Sequence, residues 1–194
     1  MSINYIKIEK IGYFLFLLVP LFFISGPFLT DLSLCLIAII FLISIIKKNL
    51  ISEFFFNRYS IAFFTFYSII LLSSLSSDSI FFSFESSLFY FRFFIFSVGV
   101  CYLLKNYEKS LYFFCLIFLT AYLFIIFDGY FQYFIGFDIF GYIKPLPDRL
   151  SGPFRDELIL GSVVARFFPF AIFCLFVVCN KYNYNYVNFF YILI

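Results

Sequence analysis

Four arginines are the residues of this sequence whose chemistry stands out, because a guanidinium group binds phosphate oxygens through parallel N–H donors. Arg149 and Arg155 lie in the stretch DRLSGPFRDE, whereas Arg92 and Arg166 lie in apolar runs. The stretch holds five charged residues in ten, although the whole chain is 64% hydrophobic and only 12% charged. The arginines predict a site for an anion such as a phosphate, although three of the five charges, Asp148, Asp156 and Glu157, are acidic and reduce the positive field.

The composition predicts the solvent that surrounds these arginines. The 194 residues include 37 Phe, and the mean hydropathy is +1.06, far above the range of soluble proteins. Lipid can surround such helices on all sides, so a membrane protein is predicted, with no nucleic-acid partner. There is no His, and the five cysteines lie in or beside apolar runs. The sequence therefore predicts no disulfide framework, metal site or cofactor.

Apolar runs separated by polar residues predict an all-α, polytopic transmembrane helical bundle. A span needs about 20 residues, and six spans are predicted at about 11–24, 30–46, 59–75, 87–104, 111–129 and 158–179. A seventh begins near 186, and we expect the chain to be the N-terminal half of a longer protein. Residues 1–194 are interpreted as one transmembrane domain with a long outer connection at about 129–157.

Lysines and arginines in the short loops predict the orientation, because cytoplasmic loops are enriched in both. Basic residues precede the first span, and they lie between spans two and three, between spans four and five, and after span six. The N-terminus is therefore predicted to be cytoplasmic, and DRLSGPFRDE to face outward across the plasma membrane.

The residues around Pro153 are typical of a helix start. Ser151 or Gly152 can cap the helix, Pro153 suits its first turn, and Glu157 places negative charge near its N-terminus. A helix from this point places three polar residues within about 20° of one face. These residues are Arg155, Ser162 and Arg166.

Each arginine also has an ordinary structural interpretation. Arg166 lies about 12 Å inside its predicted span, and a charge at that depth is a functional-site hypothesis by default. It can instead form a structural ion pair. Arg92 can extend to the lipid headgroups or pair with Glu85. Arg149 and Arg155 can be solvated loop residues.

The outer connection predicts a groove. Its glycines and prolines exclude one continuous helix, and Phe131 to Phe140 can form an interfacial or re-entrant turn. Irregular backbone at membrane depth needs protein or a wet cavity around it. Asp128 and Asp138, near the end of the fifth span, can hold a proton or a cation, or can simply be interfacial.

The sequence FDIFGY at 137–142, followed by RLSGPFRDELILGS at 149–162, resembles the outer-loop motif of the O-antigen ligase and O-antigen polymerase family. In these bacterial inner-membrane proteins the motif reads roughly R-L-S-G-x-F-x-D-E-L-I-x-G-S. The number and orientation of the predicted upstream helices agree with that family.

The resemblance implies a glycosyltransferase of lipopolysaccharide biosynthesis that takes a glycan from undecaprenyl pyrophosphate on the periplasmic side. The acceptor is lipid A–core in the ligases and another glycan in the polymerases, and no cofactor or metal is required. Arginines of the family are thought to hold the pyrophosphate. The resemblance implies this role for Arg149, Arg155 and Arg166, and Arg92 is a further candidate.

The family's ligases use a histidine in a later periplasmic loop, and this chain has none. Catalytic residues are therefore not predicted, and the chain alone is expected to be inactive. A transporter or flippase for an anionic lipid-linked glycan remains an alternative, because arginines in helices also line anion pathways. A purely structural membrane subunit is a third possibility, but it does not explain the motif.

Overall fold

The structure, a computed structural model, describes residues 3–146, 149–155 and 157–179. The predicted all-α fold class is confirmed for these residues. The helices are α1 (Ile3–Ser25), α2 (Pro27–Lys47), α3 (Ile51–Phe55), α4 (Arg58–Leu75), α5 (Ile80–Phe89), α6 (Phe91–Asn106), α7 (Ser110–Ile135) and α8 (Leu160–Cys179). A short 3-10 turn, Gly152–Phe154, precedes α8.

The described helices fit a multi-pass membrane protein, as predicted. Six helical stretches among the described residues are long and apolar enough to cross a membrane. They are Lys7–Ser25, Pro27–Lys47, Arg58–Leu75, Ile80–Asn106, Ser110–Ile135 and Leu160–Cys179. The predicted seventh span near 186 lies outside the described residues.

The observed helix boundaries differ from the predicted ones in the middle of the chain. The span predicted from 87 begins at Ile80 and is divided at Tyr90 into α5 and α6. The helix predicted to end near 129 continues to Ile135, because Gly136, with φ of 92°, is the residue that leaves the helical conformation. The prediction of an irregular turn from Phe131 is therefore wrong for the residues within α7.

The described residues divide into two compact units. The first holds residues 3–16 and 32–108, and the second holds residues 17–31 and 109–179, of those described. The helices α1 and α2 contribute residues to both units. That residues 1–194 form one domain stays a prediction.

The first unit is packed around two fully buried rings, Phe41 of α2 and Tyr102 of α6, whose centroids are 5.7 Å apart. A Cβ added at Gly99 would lie 3.1 Å from Phe41 Cβ, so the small residue allows this close contact. Between transmembrane helices, such packing of small and aromatic residues takes the place of the hydrophobic driving force found in water.

A polar cluster, the Glu9 cluster, consists of the buried Glu9 of α1 and Tyr102 of α6 and the half-exposed Lys48 just after α2. The Tyr102 hydroxyl donates to Glu9 Oε1 at 2.9 Å and accepts from Lys48 Nζ at 2.5 Å. Lys48 Nζ also lies 2.9 Å from Glu9 Oε1. Burial alone lowers the pKa of Lys48, but its hydrogen bonds to Tyr102 and Glu9 outweigh burial and raise that pKa above its ordinary value of 10.5.

The second unit is held by close packing of α7 against α8. A Cβ added at Gly129 would lie only 2.7 Å from Leu160 Cδ2, so glycine is what lets the two helices approach here. One turn further along α8, the Val164 carbonyl accepts a hydrogen bond of 2.9 Å from the Tyr122 hydroxyl of α7. These contacts fix the start of α8 beside the last turns of α7.

Candidate functional site

The connection after α7 folds back onto the helix through two aspartates. Asp138 N donates to the Tyr142 carbonyl at 3.0 Å, and Tyr142 N donates to Asp138 Oδ1 at 2.5 Å, which closes a tight turn. Asp128 of α7 holds this turn, because its Oδ1 accepts from Ile139 N at 2.8 Å. Asp128 and Asp138 are both fully buried. Both predicted candidate acids are therefore buried within the protein.

Gln132 of α7 anchors residues 149–154, the RLSGPF segment. Its Oε1 accepts from Ser151 N at 3.0 Å and from Gly152 N at 2.9 Å, and its Nε2 donates to Ser151 Oγ at 3.1 Å. Gln132 and Ser151 are fully buried. Ser151 makes no side-chain cap to a helix, so its predicted capping role is wrong. The Ser151 hydroxyl instead accepts a hydrogen bond from the Gln132 side-chain amide, which is buried and therefore needs hydrogen-bond partners.

The helix start predicted around Pro153 lies further along the chain. Pro153 is part of the 3-10 turn, and α8 begins at Leu160. Arg155 lies between them with φ of 59° and ψ of −116°, a conformation that is strained for a non-glycine residue. The predicted common helical face is therefore wrong for Arg155. Ser162 and Arg166 do lie one turn apart on α8, and both are exposed.

Tyr142 supports the side chain of Arg155. The Arg155 guanidinium lies 5.5 Å from the centroid of the Tyr142 ring, within the range of a cation–π contact. Two hydrogen bonds tie the Tyr142 backbone to the buried Asp138, and they position the residue that carries this ring. The strained backbone and the ring together set the direction of the guanidinium.

A cleft of about 420 Å³ lies within the second unit, between the turn that joins α1 to α2 and the segment from Pro153 to Ile159. Phe23 and Pro27 line one side, and Pro153 and Phe154 line the other. The Phe23 and Phe154 rings are 6.1 Å apart and meet edge to face. The cleft therefore has apolar and partly aromatic walls.

Three charged residues line this cleft, namely Arg155, Asp31 and Glu157, together with the hydroxyl residues Ser25 and Thr30. Arg155 supplies the positive charge among the described lining residues. Glu157 is exposed beside it. The predicted helix-start role of Glu157 is wrong, because Glu157 lies in the connection before α8. Such a lining can bind an anionic group and, through its carboxylates, the hydroxyl groups of a ligand.

The other predicted arginines lie elsewhere. Arg149 and Arg166 are exposed, and neither is among the described residues that line the cleft. Arg92 belongs to α6 of the first unit, where its guanidinium lies 5.0 Å from the centroid of the Phe93 ring. The structure thus brings one of the four predicted arginines to the cleft, and the convergence of the four stays a prediction.

Sequence reasoning missed three residues of this region, Gln132, Tyr142 and Asp31. Gln132 had a usable signal, because it is an amide in an apolar helix, one turn from Asp128 and on the same face. Tyr142 had no usable signal, because a single tyrosine does not stand out among the 16 in this chain. Asp31 had none either, because the residues around the turn between α1 and α2 come to line the cleft only when the chain folds.

Within the described residues, no group of three His, Cys, Asp or Glu side chains is placed to hold a metal ion. No protein-family model, curated protein or solved structure matches the chain. The geometry of the cleft and of the buried polar residues behind it is therefore the basis for the functional proposals.

Proposed function

We propose that the chain is part of a membrane glycosyltransferase that moves a glycan from undecaprenyl pyrophosphate to lipid A–core or to a growing O-antigen chain. The cleft is the proposed donor site, with Arg155 as the residue that binds the pyrophosphate. Arg149, Arg166 and Arg92 are further candidates for the same lipid-linked ligand. By the positive-inside distribution, the cleft faces the periplasm and the N-terminus is in the cytoplasm of the bacterium.

One observation carries this proposal: the segment that resembles the family motif is also the wall of a cleft that presents a guanidinium. Gln132 holds Ser151 and Gly152 through three hydrogen bonds, two to their backbone amides and one to the Ser151 hydroxyl. Arg155 follows four residues after Ser151. A segment that Gln132 holds in place and that carries the Arg155 guanidinium suits a preorganised binding site.

The chemistry of the transfer suits an arginine. The bond between the anomeric carbon and the pyrophosphate oxygen breaks, the oxygen keeps the electron pair, and an acceptor hydroxyl forms the new glycosidic bond after losing its proton. Negative charge grows on the pyrophosphate during this step. A guanidinium already held in place therefore stabilises the transition state more than the ground state.

The remaining lining suits the other parts of such a donor. Carboxylates accept hydrogen bonds from sugar hydroxyls, and Asp31 and Glu157 both line the cleft. Phe23 and Phe154 present apolar surface beside the charged groups, which suits a prenyl chain entering from lipid. One positive and two negative side chains suit a glycosyl pyrophosphate better than a bare phosphate.

The test measures binding of farnesyl pyrophosphate to the purified full chain in detergent by calorimetry. Arg155→Ala should weaken binding by about 10- to 100-fold, the size of a lost charge-assisted hydrogen-bond pair. Arg155→Lys should bind with intermediate affinity, because it keeps the charge and loses the planar fork. Farnesol should not compete.

The matched control is Arg58→Ala, since Arg58 is exposed at the start of α4 in the first unit. It should bind the pyrophosphate as the unchanged chain does. In cells that need this chain for surface glycan, Arg155→Ala should reduce glycan length or attachment and Arg58→Ala should not. Unchanged binding and unchanged glycan in Arg155→Ala would show that the cleft is not the donor site.

A further inference from the structure

Asp128 and Asp138, the acidic pair, each have one satisfied and one unsatisfied carboxylate oxygen. The Oδ1 atoms accept from Ile139 N and Tyr142 N, as described above. The Oδ2 atoms have no hydrogen-bond partner among the described residues, although both side chains are fully buried. Buried polar atoms are nearly always bonded, so two such oxygens in one region require a partner.

The two carboxylates are neighbours, and that of Asp128 lies against the RLSGPF segment. Ile139, whose amide bonds to Asp128, directly follows Asp138 in the chain, and the two carboxylates interact electrostatically. A Cβ added at Gly152 would lie 3.6 Å from Asp128 Oδ2, so this oxygen points toward the segment. The acidic pair therefore joins three parts of the second unit: α7, the turn after it and the RLSGPF segment.

The basic side chains of this region are directed elsewhere. Lys144 Nζ lies 5.8 Å from the centroid of the Tyr133 ring, and the Arg155 guanidinium lies over Tyr142. Across residues 3–146, 149–155 and 157–179, no ion pair joins Asp128 or Asp138 to a basic side chain. Two like charges in a buried site without a counterion are strongly unfavourable.

We propose that the acidic pair binds a divalent cation of the Ca²⁺ class through Asp128 Oδ2 and Asp138 Oδ2. One divalent ion balances two carboxylates, whereas a single proton balances one. Ca²⁺ accepts carboxylate, carbonyl and water oxygens in irregular arrangements, while Mg²⁺ gives up its water shell reluctantly and fits a buried pair less well. Backbone carbonyls and water supply the remaining ligands.

The ion has a structural consequence that does not depend on the proposed transfer activity. It ties the turn containing Asp138 to α7, and that turn carries Tyr142, the platform for Arg155. Removal of the ion should loosen this turn first. The cation site thus controls the order of the cleft wall without lining the cleft.

Terbium provides a direct probe, because Tb³⁺ replaces Ca²⁺ at oxygen sites and is excited through nearby tyrosine. The chain has 16 Tyr and no Trp, and Tyr142 is bonded to Asp138. The full chain in detergent is stripped with EDTA and titrated with Tb³⁺, and the bound Tb³⁺ is then displaced with Ca²⁺, Mg²⁺ or Na⁺. We expect saturable luminescence that Ca²⁺ abolishes at a lower concentration than Mg²⁺ or Na⁺.

Asp128→Asn and Asp138→Asn should each weaken Tb³⁺ and Ca²⁺ binding by roughly tenfold or more, because affinity follows the charge of the ligands. The control is Asp78→Asn, an exposed acid in the first unit, which should bind as the unchanged chain does. Far-UV circular dichroism reports whether each variant is helical. Ca²⁺ should also raise the unfolding temperature of the unchanged chain, which tests the site even if a variant fails to fold.

The proposal is overturned if the unchanged chain shows no saturable Tb³⁺ signal and no Ca²⁺-dependent shift in unfolding temperature. It is also overturned if the folded Asn variants bind as tightly as the unchanged chain. Asn variants that match or exceed its stability, with no response to Ca²⁺ in either, would show that a proton neutralises the pair.

Discussion

Each of the two units contains a polar cluster, but the clusters balance charge in different ways. In the Glu9 cluster one carboxylate meets one ammonium, and the Tyr102 hydroxyl bonds to both. In the second unit, Gln132 satisfies the backbone of Ser151 and Gly152, while the acidic pair has no basic partner among the described residues. The first cluster is complete by itself, and the second is not.

This difference is the reason that a ligand is proposed for the second cluster and none for the first. A paired charge inside a membrane protein ties helices together and needs no ligand. Buried carboxylate oxygens without a partner are costly to fold, which is why we propose that an external ligand completes the second cluster. The arginines also differ: both Arg155 and Arg166 are exposed, but Arg155 has a strained backbone and its guanidinium lies over the Tyr142 ring, whereas Arg166 lies in the regular helix α8.

The largest effect should come from Gln132→Leu, which removes the anchor of the second cluster. Two buried amides lose their acceptor and the Ser151 hydroxyl loses its donor, so the free energy of unfolding should fall by about 3–5 kcal/mol. Denaturant titration of the chain in detergent measures this loss. Thr120→Ala, at an exposed position of the same helix, should change stability little. An equal loss in both would mean that Gln132 does not anchor the RLSGPF segment.

A smaller effect should follow from Glu9→Gln in the complete cluster. The change removes the negative partner of Lys48 and weakens the bond to Tyr102, at a cost of about 1–2 kcal/mol, near the low end for charged hydrogen bonds because Lys48 is half exposed. In a double-mutant cycle with Lys48→Met, the pair should cost less than the sum of the single changes. Strict additivity would contradict the described pairing.

The smallest effect should appear at alkaline pH. Because folding raises the pKa of Lys48, its stabilisation is full below the ordinary value of 10.5 and is lost as pH rises through the raised value. Exposure limits the loss to less than about 1 kcal/mol. The unfolding midpoints of the unchanged chain and of Lys48→Met should therefore converge at pH values above the raised pKa of Lys48. A constant difference between them would place Lys48 outside the cluster.

Much of the helical framework follows from the sequence, because apolar runs of span length have one stable form in lipid. The short helix α3 and the break at Tyr90 could not be predicted in this way. No glycine or proline marks that break. The end of α7 could not be predicted either, because Gly129 and Gly136 are both candidate ends. In the structure Gly129 stays helical and packs against Leu160.

The site was less predictable than the framework. Residue type identified Arg155 as a binding candidate, but it identified Arg149 and Arg166 equally well, and the cleft includes only Arg155 among the described arginines. The distinction depends on contacts between residues far apart in sequence, such as Gln132 with Ser151 and Asp128 with Ile139. Such contacts leave no local pattern, because each needs the connection to fold back first.

Leu160 limits the size of two glycines at once. Its methyl groups would lie 2.7 Å from a Cβ at Gly129 and 3.0 Å from a Cβ at Gly152. A Cβ at Gly152 would therefore displace a Leu160 methyl group, and the φ of 56° at this position also favours glycine. Positions 129, 152 and 160, which are distant in the chain, therefore compete for the same volume. In other chains with this fold, a larger residue at either glycine position should occur together with a smaller one at position 160, so these positions should vary as a set.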